Sequence, residues 1–124
     1  MTAIDVVAQW LDAVNAGDAE RLVALSAPEI RIVGPRGTAR GAGVLREWLK
    51  RARACMETRS TFAKDERVVV AQHAVWHDES GEAMGEADVA SRFVVEDGRV
   101  AEYERHDVLA DALARAGITA ADRI

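Results

Sequence analysis

The sequence predicts an α+β domain with helices packed on one face of an antiparallel sheet, and three observations predict it. Apolar residues recur at helical spacing through the first part of the chain. Residues 68–107 read as three long strands joined by two hairpins. Helices come first, then a strand, a helix and this meander, which is the order of an α+β domain.

Each element has a local cause. Thr2 with Asp5 has the pattern of a capping box, and Ile4, Val7, Leu11 and Val14 follow at helical spacing. Gly17 ends this first helix. Asp18 caps a second, shorter one carrying Leu22 and Leu25, stopped before Pro28. Residues 29–33 alternate polar and apolar as a short strand. Residues 34–41, GPRGTARG, read as a turn-rich loop. The loop lacks the lysine and following Ser/Thr of a phosphate-binding loop, so no nucleotide site is expected there. Arg36 in it is a candidate anion contact at a pocket mouth.

Val44, Leu45, Trp48, Leu49 and Ala52 make the apolar face of a third helix. Arg46, Lys50, Arg51 and Arg53 cover its other sides as a solvated face. Residues 57–64 form a strand, and residues 108–116 a last short helix with Gly117 as its stop and Asp107 as its cap. Trp10 and Trp48 lie at the apolar stripes of their helices. Core packing is the simpler account of Trp10, and ligand contact the other for both.

Turn chemistry places the hairpins. Asp97-Gly98 is a strong two-residue hairpin signal, because both central positions need positive φ. Ser80-Gly81 is a weaker one. With even loops, Val75 stands opposite Glu86, His73 opposite Asp88, Ala90 opposite Arg105 and Arg92 opposite Tyr103. Alternation then sorts the sheet into two faces. One is apolar, with Val68, Val70, Gln72, Ala74, Trp76, Ala87, Val89, Ser91, Phe93 and Val95. The other is mixed, with Ala71, His73, Val75, His77, Glu86, Asp88, Ala90, Arg92, Tyr103, Arg105 and Asp107.

Composition narrows the classes. A chain of 124 residues with 49% hydrophobic and 30% charged residues is expected to be one globular domain, residues 1–124. The formal net charge of −5 argues against nucleic acid or an anionic membrane as partner. No apolar run reaches spanning length, the start is not that of a signal peptide, and Cys55 is the single cysteine; a cytoplasmic location is expected. His73 and His77 share a strand face without a third ligand, and this register puts His106 on the other face, so no metal is expected, nor any cofactor.

The order helix, short helix, strand, glycine-rich loop, helix and meander resembles the nuclear-transport-factor-like superfamily, which includes ketosteroid isomerase, SnoaL-type polyketide cyclases and limonene epoxide hydrolase. The clearest local likeness is VVAQWLDAVNAGDAERLVALSAPEI followed by RGAGVLREWL, similar to the isomerase's opening half. EDGRVAEYERHD resembles the superfamily's Asp-Gly hairpin and final strand. The resemblance implies a cystatin-like α+β roll: a curved antiparallel sheet, N-terminal helices on its concave face, and a cone-shaped pocket between them. It also implies pairing into a homodimer through the outer sheet face.

The family's catalytic residues do not carry over. Trp10 stands where the isomerase has a first-helix tyrosine, its general-base aspartate falls near Gly34, and its proton-donating acid falls near Ala90. The epoxide hydrolase's Arg-x-Asp pair maps to Ala71 and His73, and its last-strand aspartate to about Arg105.

Burial alone would send the apolar face beneath the helices. The resemblance implies the reverse, with the mixed face lining the pocket and the apolar face, including Trp76, covered by a second subunit; that arrangement is the one expected here. His73 and Asp88 with Arg105 then form a candidate acid–base site, a carboxylate orienting an imidazole and an arginine stabilising an oxyanion. Arg92 and Tyr103 join them as candidate ligand contacts. A salt-bridge network that satisfies buried charge is the competing account. The expected function is small-molecule binding, with isomerase- or cyclase-type acid–base chemistry. The alternative is a non-catalytic dimeric interaction module with a side-chain-filled pocket.

Overall fold

A computed structural model describes residues 1–34 and 37–124. Its first element, α1 (Ala3–Ala16), starts where expected: Thr2 Oγ1 accepts from the Asp5 amide and Asp5 accepts from the Thr2 amide, so each satisfies a donor the helix leaves free. Gly17, at φ 66°, closes it in the left-handed conformation. Val6, Val7, Trp10, Leu11, Ala13 and Val14 are its buried face, and Ile4 stays outside. Asp18 caps α2 (Ala19–Ala24) by accepting from the Arg21 amide.

Strand β1 (Ser26–Gly34) then pairs with β2 (Gly37–Arg40) as a hairpin, so the far half of the glycine-rich loop is an edge strand. Helix α3 (Ala42–Ala52) leads into β3 (Ala54–Lys64), β4 (Arg67–His77), β5 (Ala83–Glu96) and β6 (Arg99–His106). The chain ends with α4 (Leu109–Ala116) and a 3₁₀ turn at Ala120–Asp122. Asp107 does not cap α4; the N-cap is Val108, and Asp107 instead accepts from Arg105 at 3.3 Å.

The six strands form one curved sheet in the order β2-β1-β6-β5-β4-β3. Neighbours are antiparallel except β1 and β6, which run parallel, with β2, α3 and β3–β5 lying between them in the chain. In the β4–β5 hairpin, His73 is opposite Asp88 and Val75 opposite Glu86, as turn chemistry predicts.

The β5–β6 hairpin departs from the predicted register. Its turn is Asp97-Gly98, with φ 52° and 74°. Three residues on, Ala101 is an extra residue: Val95 pairs with Val100, but Val94 pairs with Glu102. This bulge shifts the rest of β6 by one position and turns its side chains over. Tyr103 is therefore opposite Phe93, not Arg92, and Arg105 is opposite Ser91, not Ala90. His106 takes the place opposite Ala90, which puts it on the same face as His73.

The expected choice of inner face is corrected as well. Val68, Val70, Gln72, Ala74, Val89, Ser91, Phe93 and Val95 lie beneath the chain's own helices α1–α3, where the apolar ones join a continuous core with Trp10, Leu22, Ile30 and Leu45. Trp76 packs against that core rather than standing free for a second subunit. Transfer of apolar area out of water explains the outcome, at about 1.5–3 kcal/mol for each fully buried aliphatic or aromatic side chain. The other face is capped over its middle by α4, where Phe62, Val69, Ala90, Ala112, Ala116 and Ile118 form a second core. Residues 89–93 of β5 are consequently buried on both sides. Among the described residues, no helix is long and apolar enough to cross a membrane.

Candidate functional site

The register shift divides the candidate residues between two faces. Tyr103 and Arg105 come to the helix side, while His73, Asp88 and Arg92 stay on the other. The expected grouping of His73 and Asp88 with Arg105 around one pocket is thus corrected by the one-residue bulge at Ala101.

On the helix side, a cavity of about 400 Å³ opens between α3, the ends of β1 and β6, and the start of β3. Ile32, Val33, Met56, Trp48 and Trp76 wall it, with Tyr103 and Arg105 contributed by β6. Beside it Trp10, Trp48, Phe93 and Tyr103 form an aromatic cluster. Trp10 is fully buried, with its ring centre 5.0 Å from that of Tyr103 and 5.3 Å from that of Phe93. Trp48 stacks on Trp10 at 6.0 Å and meets Tyr103 at 5.8 Å. Trp10 Nε1 donates to Ser26 Oγ at 2.9 Å, and Ser26 in turn donates to the Leu22 carbonyl, so the indole N–H is satisfied by the protein itself. Trp10 is therefore floor, and Trp48 is wall.

The polar groups of this face are few: Gln72, Ser91 and Tyr103 are buried, and Arg105 is exposed. Burial pushes the Tyr103 phenol above its ordinary range, and the neighbouring Ser91 hydroxyl and the Arg105 charge work the other way. Ser91 Oγ donates to Gln72 Oε1 at 2.6 Å. Arg105 lies at the rim, its guanidinium carbon 5.5 Å from the centre of the Trp76 ring.

On the other face, His73 Nδ1 is 2.8 Å from Asp88 Oδ1, and its Nε2 is 3.5 Å from Glu86. The hydrogen bond to Asp88 raises the His73 pKa above its ordinary value, with Glu86 adding to it against the burial of the ring. The pair is present, but it stands on the open part of the sheet: the Asp88 side chain is 88% exposed. Nearer the middle, Arg92 is buried between Glu102 at 2.8 Å and Glu104 at 2.9 Å, and Arg31, His106 and Arg115 extend the network. Burial works to raise Glu102, but Arg92 and Arg31 outweigh it and hold the carboxyl below its ordinary value. Burial likewise acts on Glu104, and Arg92 and His106 outweigh it there. Arg92 is therefore occupied within a network and faces away from the cavity. Arg36 lies outside the described residues. Among those described, no group of three or more His, Cys, Asp or Glu side chains converges as a metal site would require.

Sequence reasoning missed Met56, Ile32 and Trp76 as cavity walls, and Gln72 and Ser91 as the polar pair behind it. For Trp76, Gln72 and Ser91 the signal was available, since all three share the parity of the apolar face.

A family model described as SnoaL-like domain matches residues 7–103. No curated protein matches the chain. Among solved structures, an NTF2-like protein from Burkholderia xenovorans is 26% identical, with a TM-score of 0.67 over 92% of this chain and 94% of that one. A protein from Sinorhizobium meliloti provisionally assigned as a polyketide cyclase is 18% identical, with a TM-score of 0.71 over 86% of this chain and 100% of that one. A protein from Kribbella flavida provisionally assigned as a ketosteroid isomerase is 16% identical, with a TM-score of 0.71 over 83% of this chain and 75% of that one. The last two share the fold.

Proposed function

We propose, since this chain belongs to the SnoaL-like domain family, that its cavity binds a small planar molecule carrying an anionic or enolisable oxygen. The make-up of the cavity supports this reading. Trp48, Trp76 and Tyr103 supply flat apolar walls, and Arg105 supplies positive charge at the rim. Aromatic faces stack on flat rings, and a guanidinium pairs with a carboxylate or enolate oxygen, so an occupant with both features is favoured. The volume of about 400 Å³ suits a small ligand, in the lower part of the usual range of about 300–1,000 Å³.

The reaction class is bounded by what the walls offer. Tyr103, its phenol kept protonated by burial, is a hydrogen-bond donor to a ligand oxygen, and Arg105 favours negative charge on it. Among the described lining residues none is a carboxylate or an imidazole. The cavity is thus equipped to hold and polarise an oxygen rather than to take a proton from carbon. His73 and Asp88 lie outside it and have no part in this reading. The names of the two provisionally assigned relatives support a small-molecule occupant over a macromolecular one.

Titration with 2-naphthoate and 2-naphthol, followed by tryptophan fluorescence, tests the proposal. Both probes should quench emission. Arg105→Ala should weaken 2-naphthoate about tenfold, the worth of one charged hydrogen bond, with the melting temperature retained. Absence of quenching, or an Arg105→Ala variant that binds 2-naphthoate like the parent, would contradict it.

A further inference from the structure

The amide nitrogen of Gln72 is buried and has no hydrogen-bond partner, although the residue is only 1% exposed and lies on the cavity side of β4. A buried donor left unpaired is costly, and native interiors hold few of them. Its carboxamide oxygen takes the Ser91 proton at 2.6 Å. Ser91 in turn lies one cross-strand diagonal from Tyr103, since Ser91 is opposite Arg105 and Phe93 opposite Tyr103 on the same face.

We infer that Gln72 is a positioning residue which, through Ser91, sets whether the Tyr103 hydroxyl donates into the cavity or away from it. In the observed arrangement the Ser91 proton is committed to Gln72, so toward Tyr103 the serine oxygen is only an acceptor. The phenol proton is then drawn inward, and its lone pairs face the cavity. Turning the Gln72 carboxamide over by half a rotation reverses every bond in the row. Nε2 donates to Ser91 Oγ and loses its unpaired state, Ser91 donates to the phenol oxygen, and the Tyr103 proton is released toward the cavity. A ligand bearing a carbonyl, phenolate or enolate oxygen would select the second arrangement, and a ligand bearing a hydroxyl donor the first. What the hydroxyl meets rests on the ligand-binding reading above; the relay itself does not.

Tyr103 is the single tyrosine of the chain, so its phenol can be followed alone. With ¹³Cζ-labelled tyrosine, the alkaline midpoint is measured by NMR, without ligand, in the parent, Gln72→Met, Ser91→Ala and the double variant. Ser91→Ala removes the donor to the phenolate and should raise the midpoint by about one unit. Gln72→Met removes the N–H that backs that donor and should raise it by less. The double variant should equal Ser91→Ala alone, because the glutamine acts only through the serine. A Gln72→Met protein with the parent's midpoint, or shifts that simply add, would overturn the relay. If Gln72→Met does not fold, Ser91→Ala carries the test by itself: an unmoved midpoint there overturns the relay. A second arm measures 2-naphthol binding to the same proteins. Relay shifts without any 2-naphthol binding would count against the cavity proposal and leave the relay standing.

Discussion

Arg105 rests its guanidinium carbon 5.5 Å from the centre of the Trp76 ring, and both side chains edge the same cavity. The two come from β6 and β4, strands separated by β5, so their meeting is set by the sheet's register rather than by proximity in the chain. Arg105 is on this face only because Ala101 is an extra residue in β6.

Deleting Ala101 therefore should remove the bulge without turning the strand over. Val100 stays opposite Val95, Glu102 opposite Val94 and Tyr103 opposite Phe93, so the alternation becomes regular with Tyr103 and Arg105 still on the helix side. The deletion variant should keep a cooperative melting transition and the near-UV circular dichroism of the aromatic cluster. A deletion variant that has lost the near-UV signal would mean that Ala101 is not the extra residue of this strand.

The bulge also marks how far the sequence could be read. Helix starts and stops, the Asp97-Gly98 turn and the pairing of His73 with Asp88 were legible, because each follows from local chemistry: a capping hydroxyl, a left-handed glycine, a two-residue loop. Nothing in EDGRVAEYERHD marks Ala101 as extra, since alanine suits a regular strand as well as a bulge. One unannounced residue reversed Tyr103 and Arg105, and with them the candidate site. The face choice was legible from burial alone; preferring the superfamily's dimeric arrangement over it misplaced Trp76.

Arg92 gives a stability prediction. It is buried between Glu102 and Glu104, so Arg92→Met leaves two carboxylates without their shared partner. Unfolding in urea at pH 7 should show a loss of about 3–5 kcal/mol, the usual cost of breaking a buried pair. Both glutamates are held below their ordinary value of 4.5. Their folded pKa values being depressed, their contribution is present above that value and is lost as pH falls through the folded values. The parent should therefore lose stability below about pH 4.5 more steeply than Arg92→Met. Parallel pH profiles for the two proteins would count against the network.

His73 makes the opposite prediction. Its folded pKa is raised above 6.5, chiefly by Asp88. The pair's small contribution is then complete below 6.5 and disappears as pH rises through the folded value. Imidazole NMR should find the His73 midpoint above 6.5, and Asp88→Asn should bring it down toward that figure. An identical midpoint in Asp88→Asn would remove the hydrogen bond as the cause.

The most direct test of the whole account is an NMR titration of the intact protein with 2-naphthoate, following indole N–H and imidazole resonances together. If the ligand site is the cavity under α3, the Trp48 and Trp76 indole signals should move with saturation while the His73 imidazole stays in place. Movement of His73 with Trp48 and Trp76 unchanged would put the site on the opposite face of the sheet and contradict the assignment of Tyr103 and Arg105.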